Sequence, residues 1–581
     1  MERKIFATLA VDRNIRACVQ SPLGNDMPLI GIDLGTTFSA VAHLDQSGTP
    51  TTIPNAEGEL TTPSVVLFEK DGEVVVGRTA RRAALAEPGR TADYIKRSMG
   101  EPFYPRLING KQMTPVFLSS LILKKLKQDA ERKIGRIDGA VITVPAYFDE
   151  ARRQATASAG RIAGMNVIDI INEPTSAALA YAYKAMAAGS AGGPAGLDPD
   201  ASAGGPQTVL VYDLGGGTFD VTVLRISGAE LRVVATTGDV KLGGRDWDER
   251  LFSLASDAFL DAHDGDPRAD ATSQQNLMLA CEEAKRVLSQ RKQTDIVVNH
   301  AGKTLAVPVT REQFEEMTAD ILYRTESRVG RVLKQTGLSW DKRLKVLAVG
   351  GSTRMPQVVQ MLKRVTGKEP NCTLSPDEAV AHGAAIHAAV TALNSAPQGL
   401  PVIGASTEAK YGGLPATKEK SKHSFLGYFK KRVSDLLLSI HTTNVNAHSL
   451  GVVVYSSDKS ERVSVLIPND SPLPHSASKR FGTLSENQKS VIVRVVEGES
   501  SDPDECVHVG ACQIQKLPAG LPKGSPVEVT FSYDSSCRLE VKAMEVNSGA
   551  RATAVIQRTP GLPAGNTESS LFAEVAGTLV S

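Results

Sequence analysis

Residues 31–37 read GIDLGTT, and residues 213–220 read DLGGGTFD. Each closes an apolar strand on Asp-Leu-Gly and continues into small residues and a threonine. Small residues directly after a strand let the backbone approach a phosphate closely, and successive N–H groups in such a turn form an anion nest. Threonine adds a hydroxyl without bulk. An aspartate at the strand end offers a hard oxygen to the hydration shell of Mg2+, the usual companion of a nucleoside triphosphate. A single copy reads equally well as an ordinary hairpin turn. Two copies about 180 residues apart point instead to an internal repeat: two similar halves, each supplying one phosphate loop, with Asp33 and Asp213 holding one metal through water from two sides. The chain contains no G-x-x-x-x-G-K-[ST], so the common P-loop is not the nucleotide holder.

At 581 residues the chain exceeds what one hydrophobic core normally serves. A formal net charge of +1 gives no global reason to expect nucleic acid or an anionic membrane as partner. The six cysteines (Cys18, Cys281, Cys372, Cys506, Cys512 and Cys537) form no C-x-x-C pair, which argues against a zinc site or a disulfide framework. No run approaches a membrane span, and the N-terminus lacks the apolar stretch of a secretory signal. A reducing cytoplasm is the expected setting. Residues 1–27 read as an N-terminal extension, with Met27 the expected true start.

Across residues 28–394, β-branched runs at 139–145, 166–171, 208–214 and 344–351 alternate with helical patterns, the signature of an α/β domain. Ser375-Pro376-Asp377-Glu378 reads as a capping box ahead of a helix. The Gly/Ala/Pro-rich segment 187–207 reads as a surface loop. Residues 395–445 combine a basic insert with a linker: Lys410, Lys418, Lys420, Lys422, Lys430, Lys431 and Arg432 cluster with Phe425, Tyr428 and Phe429. Phe425, Phe429, Val433, Leu436 and Leu437 fall near helical spacing. A solvated linker helix is favoured there over contact of 410–432 with lipid or nucleic acid. Residues 446–558 switch to short alternating strands, an all-β module. Residues 559–581 read as a short polar tail.

With these segments assembled, the chain resembles the 70-kDa heat-shock chaperones of the DnaK type. It carries IGIDLGTTFSAVA, NAEGELTTPSVV, INEPTSAALAY, VYDLGGGTFDVTVL, GDVKLGGRDWDERL, CEEAKRVLS and VGGSTRMPQV in order. The resemblance implies a two-lobed, actin-like α/β ATPase domain followed by an all-β sandwich that binds peptide. It implies ATP and ADP as ligands, with Mg2+ and K+, and extended hydrophobic segments of unfolded polypeptides as partners, alongside a J-domain co-chaperone and a nucleotide-exchange factor.

Residue by residue, the resemblance assigns Gly35, Thr36, Thr37 and Phe38 to the first phosphate hairpin and Gly215, Gly216, Gly217 and Thr218 to the second, with Gly243 and Gly244 beside it. It assigns Lys96 to the γ-phosphate and attacking water, Glu173 to the water and metal, and Pro145 and Arg153 to a relay between domains. Glu282, Lys285, Arg286 and Ser289 fall at i, i+3, i+4 and i+7, one face of a helix, which in the family holds adenosine. Gly350, Gly351, Ser352, Arg354 and Asp377 complete the nucleotide side. In the β module Val452, Tyr455, Phe481, Leu484, Val491 and Val493 match the peptide pocket, although each also reads as sandwich core.

The sequence departs from the family's pattern in four places. Residues 559–581 are too short for the helical lid, so peptide is expected to be held by the β clasp alone. An insert precedes the leucine-rich DLLLS at 435–439. Asp169 and Ser439 replace a basic and an acidic residue beside the J-protein contact. Lys241 and Arg245 replace a histidine and an acidic residue next to Asp246. Two rival functions stay open at this point: a small-molecule kinase of the same superfamily, and an ATP-sensing protein with one dedicated partner.

Overall fold

The computed structural model describes residues 28–190, 206–337, 344–371, 374–395, 435–456, 460–534, 539–556 and 567–581. The N-terminal extension, the centre of the 187–207 segment and the basic insert with its aromatic residues, up to residue 434, lie outside these.

The internal repeat is visible in strand order. In the first sheet Leu29–Asp33 runs antiparallel to Phe38–Leu44, which pairs with Pro50–Thr52, while Gly139–Val144 lies parallel on its other side, followed by Val167–Asn172. In the second sheet Gln207–Leu214 runs antiparallel to Phe219–Ser227, which pairs with Glu230–Asp239, while Leu344–Val349 lies parallel on its other side. The apolar runs at 139–144 and 209–214 are buried at every position, as expected for strands covered on both faces.

Each half has its own core. Ile32, Ile95, Met99 and Leu121 belong to the first, and Trp247, Leu251, Phe259 and Leu277 to the second. A third core joins them at the base, where helices Glu173–Ser190 and Ala379–Ser395 pack together. A Cβ on Gly383 would lie 1.8 Å from the Ser176 carbonyl oxygen, so this crossing needs glycine. The helix read from the 375–378 segment begins at Ala379, and Glu378 accepts a hydrogen bond from the Thr52 hydroxyl at 2.6 Å.

Residues 435–439 are helical, and Leu437 and Ile440 enter the shared core. His441–Thr443 then adds as a parallel edge strand to Glu230–Asp239. Asp169 pairs with His387 at 2.7 Å, and the Ser439 hydroxyl donates to the Leu436 carbonyl.

The β module is two antiparallel four-stranded sheets around one core. Its strands alternate, as Pro526–Tyr533 illustrates with every second residue buried. The module abuts the α/β part. The His448 ring lies 4.3 Å from that of Tyr147, and Asp470 accepts from the Thr236 backbone N–H at 3.0 Å.

The reading of 559–581 as a polar tail needs correction. Glu568–Gly577 is a helix capped by Thr567, and Leu571, Val575 and Val580 are buried in the first half's core. Val580 bridges Val74 in parallel, Lys124 donates to the carbonyls of Val575 and Thr578, and Arg161 pairs with Glu568. The i,i+4 spacing of Leu571 and Val575 and the cap at Thr567 carried the helix signal. The partner surface begins about 450 residues upstream, at Val74–Lys124.

Candidate active site

The two hairpins meet face to face. A Cβ on Gly217 would lie 2.4 Å from Thr36 Cγ2, and one on Gly216 would lie 2.5 Å from Thr37 Cγ2. The glycines are therefore required by hairpin–hairpin contact. Gly215 N–H donates to the Thr218 carbonyl at 3.0 Å to close the second turn, and the Ser64 hydroxyl braces the first through the Gly35 carbonyl at 2.8 Å.

Between the halves lies a cavity of about 580 Å3, within the roughly 300–1,000 Å3 usual for small-molecule sites. Asp33, Lys96, Glu173 and Asp213 line its floor, with the two hairpins beside them. Helix Ala271–Gln290 lines a wall with Glu282, Lys285, Arg286 and Ser289. Lys285 bonds Asp248 and the Gly244 carbonyl, and Arg286 stands 5.7 Å over the Phe38 ring. Gly350, Gly351, Ser352, Arg354 and Asp377 line the opposite wall, where Arg354 pairs with Asp377 at 2.6 Å and Ser352 donates to the Gly215 carbonyl at 3.0 Å. Gly243 and Gly244 sit directly behind the second hairpin, Gly244 N–H donating to Gly215 at 3.0 Å.

Lys96 and Glu173 form a buried ion pair on the floor. Glu173 also opens helix Glu173–Ser190, where the helix dipole favours an acid. The two readings of Glu173, helix-start acid and site carboxylate, are thus compatible. Burial alone would lower the Lys96 ammonium, but the carboxylates of Glu173 and Asp33 outweigh it and hold it above its ordinary value. Burial first, then Glu173, pushes Asp33 up to about 7, against Lys96 and a hydrogen bond from Thr143. Asp213 is raised well above its ordinary value by burial, then by Glu173, Asp220 and Asp33.

Asp220 was not singled out from the sequence. It lies directly opposite Asp213 in the hairpin register, is 2% exposed, and is pushed up to about 7 by burial and Glu173. The two aspartates flanking the glycine turn in DLGGGTFD held that signal. Asp33, Asp213, Asp220 and Glu173 thus crowd around Lys96, and a divalent cation among them would relieve their repulsion. The donor set fits Mg2+. No three His, Cys, Asp or Glu side chains among the described residues are grouped to ligate a metal directly.

Arg153 donates to the Ala146 and Phe148 carbonyls and to Asn172, the neighbour of Glu173, and the Pro145 carbonyl accepts from Phe148. Between them, Tyr147 N–H donates to Asp220 at 3.0 Å while its ring packs on His448 of the β module.

The six residues matched to the peptide pocket separate. Val452 and Val493 are buried in the sandwich core. Phe481 and Val491 are half-buried against that core, and Tyr455 and Leu484 are exposed.

The family model described as Hsp70 protein matches residues 29–109, 104–400 and 429–575. The chaperone protein DnaK of Thermotoga neapolitana is 40% identical over 537 residues, 91% of this chain and 80% of its own length. The DnaK proteins of Thermotoga maritima and Thermosipho melanesiensis are 39% and 37% identical, with the same shares covered. Among the described residues no helix is long and apolar enough to cross a membrane.

Proposed function

The chain belongs to the Hsp70 family of ATP-hydrolysing molecular chaperones, and from that premise we propose that its two matching sheets are the lobes of an actin-like ATPase closing on ATP between the two glycine hairpins. The observation that carries this assignment is the buried Lys96–Glu173 pair, set where both hairpins and three aspartates converge.

The hairpin backbones cradle the phosphates, with Thr36, Thr37 and Thr218 supplying hydroxyls. Lys96 is fixed by Glu173 and needs no reorganisation to face the charge that develops on the γ-phosphoryl group during in-line attack by water. Glu173 accepts from that water and orients it. Asp33 and Asp213 would hold Mg2+ through water, and the ion would supply charge neutralisation on the phosphates. Glu282, Lys285, Arg286 and Ser289 form the nucleoside wall, and K+ would be a further cation beside Mg2+.

The β module clasps extended apolar segments of unfolded chains, with main-chain pairing for affinity and side-chain contact for choice. Exposed Leu484 and Tyr455 and half-buried Phe481 and Val491 support that face. Tyr147 and Arg153 link it to the ATP site. A J-domain co-chaperone and a nucleotide-exchange factor act in a cytoplasmic cycle. The Asp169–His387 pair marks where the J-protein contact of this chain departs from the family pattern.

The test is ATP turnover of the full chain with and without an extended Leu-rich peptide, in the parent and in Lys96→Ala. Loss of one preorganised group costs about 3–4 kcal/mol in the barrier, so the variant should lose at least a hundredfold in turnover. Parent-level turnover with unchanged ATP affinity would remove Lys96 from the mechanism.

A further inference from the structure

Arg245 begins on the second half of the molecule. It sits in the first turn of helix Gly244–Ala262, whose Trp247 and Leu251 are core residues of that half. Its backbone N–H donates to the carbonyl of Gly216 at 2.9 Å, which ties it to the second phosphate hairpin. Its guanidinium reaches across the cleft while staying paired with Glu249 of its own helix. It lies 4.3 Å from the centroid of the Tyr94 ring while Nε donates to Glu249 at 3.0 Å.

Tyr94 belongs to the first half. The residue after it, Ile95, is in that half's core, and the turn Ile95–Ser98 carries Lys96. Tyr94 holds a left-handed φ of 51°, a conformation uncommon for a bulky residue and retained only where surrounding structure enforces it. Both Tyr94 and Arg245 line the nucleotide cavity.

Among the described residues the two halves share a core at the base, through the helices Glu173–Ser190 and Ala379–Ser395, and Val240 of the second half packs against the first half's core. Parting them therefore means rotation about that base, and contacts across the mouth must break first. Arg81–Glu282 and Arg97–Asp246 span the same divide as ion pairs, and Arg97 also donates to the Gly217 carbonyl at 2.9 Å. Arg97 and the Arg245–Tyr94 stack both join the second hairpin's side to the turn that carries Lys96, and the stack differs in that both of its partners line the nucleotide cavity.

We propose that Arg245 stacked on Tyr94 is a cross-cleft latch that sets the residence time of bound ADP, and that it is a positioning contact for Lys96. The proposal rests on the reading of the cavity as a nucleotide site. Each end of the latch is one or two residues from the groups that would hold phosphate, so opening the mouth and releasing the phosphates become one event. A guanidinium over an aromatic face contributes about 0.5–1 kcal/mol when exposed and about 2 when desolvated. Both partners here are partly buried.

Release of a fluorescently labelled ADP from the full chain, chased with excess ATP in a stopped-flow instrument, tests this. Arg245→Ala and Tyr94→Leu should each release it about five- to thirtyfold faster. Tyr94→Phe keeps the ring face and should stay within about twofold of the parent, and the double variant should be no faster than the faster single. Arg245→Gln, which retains a planar side chain of similar reach, serves as a second removal of charge and should also release faster. Release at the parent rate from both Arg245 variants, or a double variant equal to the product of the singles, overturns the latch while leaving the nucleotide site intact. A parent chain that fails to bind the labelled ADP overturns the nucleotide reading and the latch with it.

Discussion

Replacing Asp220 by asparagine should stabilise the nucleotide-free protein, and do so more at high pH than at low. Asp220 is 2% exposed, and burial, then the charge of Glu173, push its carboxyl from the usual 3.8 up to about 7. That displacement corresponds to about 4 kcal/mol at ~1.4 kcal/mol per pKa unit, an upper bound because Glu173, Asp33 and Asp213 share the repulsion. The folded value lies above the unfolded one, so the native state binds this proton more tightly. The penalty is absent well below 3.8, grows as pH rises through the interval, and is complete above about 7. Asparagine removes the charge and keeps an oxygen for the Tyr147 N–H. The gain over the parent should therefore be about 2 kcal/mol larger at pH 8 than at pH 5. Urea unfolding with nucleotide removed and EDTA present measures it. A stability difference independent of pH, or one that favours the parent more at pH 8, would refute the reasoning.

Three further substitutions probe the hairpin contact and the docked C-terminal helix. Gly217→Ala places a methyl 2.4 Å from Thr36 Cγ2, and overpacking of about 1–3 kcal/mol at the point where the hairpins touch should weaken ADP binding about tenfold by titration calorimetry; unchanged affinity would mean that the hairpins do not close on nucleotide together. Leu571→Ala in the C-terminal helix should cost about 2–5 kcal/mol in urea unfolding because Leu571 is buried in the first half's core, whereas Arg161→Ala, which removes only a half-exposed pair with Glu568, should cost less than about 1 kcal/mol. Equal small effects from both would show that the helix does not dock.

The repeated Asp-Leu-Gly hairpins, the α/β alternation, the cavity-lining face of helix Ala271–Gln290 and the switch to alternating strands after residue 446 were all legible in the chain, because each depends on residues within about ten positions of one another. Asp220 was legible in principle, as the second aspartate of DLGGGTFD, since antiparallel pairing about the glycine turn puts it opposite Asp213. Val493 shows the limit of strand patterns: it shares a strand face with Val491 but is buried where Val491 is half-buried, because alternation separates two faces without saying how deeply each position on a face is covered. The 567–581 segment shows another limit, because a short amphipathic helix does not name the surface it covers.

By itself, then, the sequence determined which local devices exist: two phosphate hairpins, a lysine and a glutamate each in a distinctive motif, and a helix with one polar face. Only the tertiary structure decided that Lys96 meets Glu173 among three aspartates, that Gly216 and Gly217 are small because Thr37 and Thr36 lie against them, that Arg245 reaches Tyr94 across the cleft, and that the end of the chain seals the edge at Val74. The physical reason is range. Hydrogen-bonded turns and side-chain periodicity are set by neighbours along the backbone, whereas burial, raised carboxylate pKa values and cross-cleft contacts arise between segments tens to hundreds of residues apart that only packing brings together.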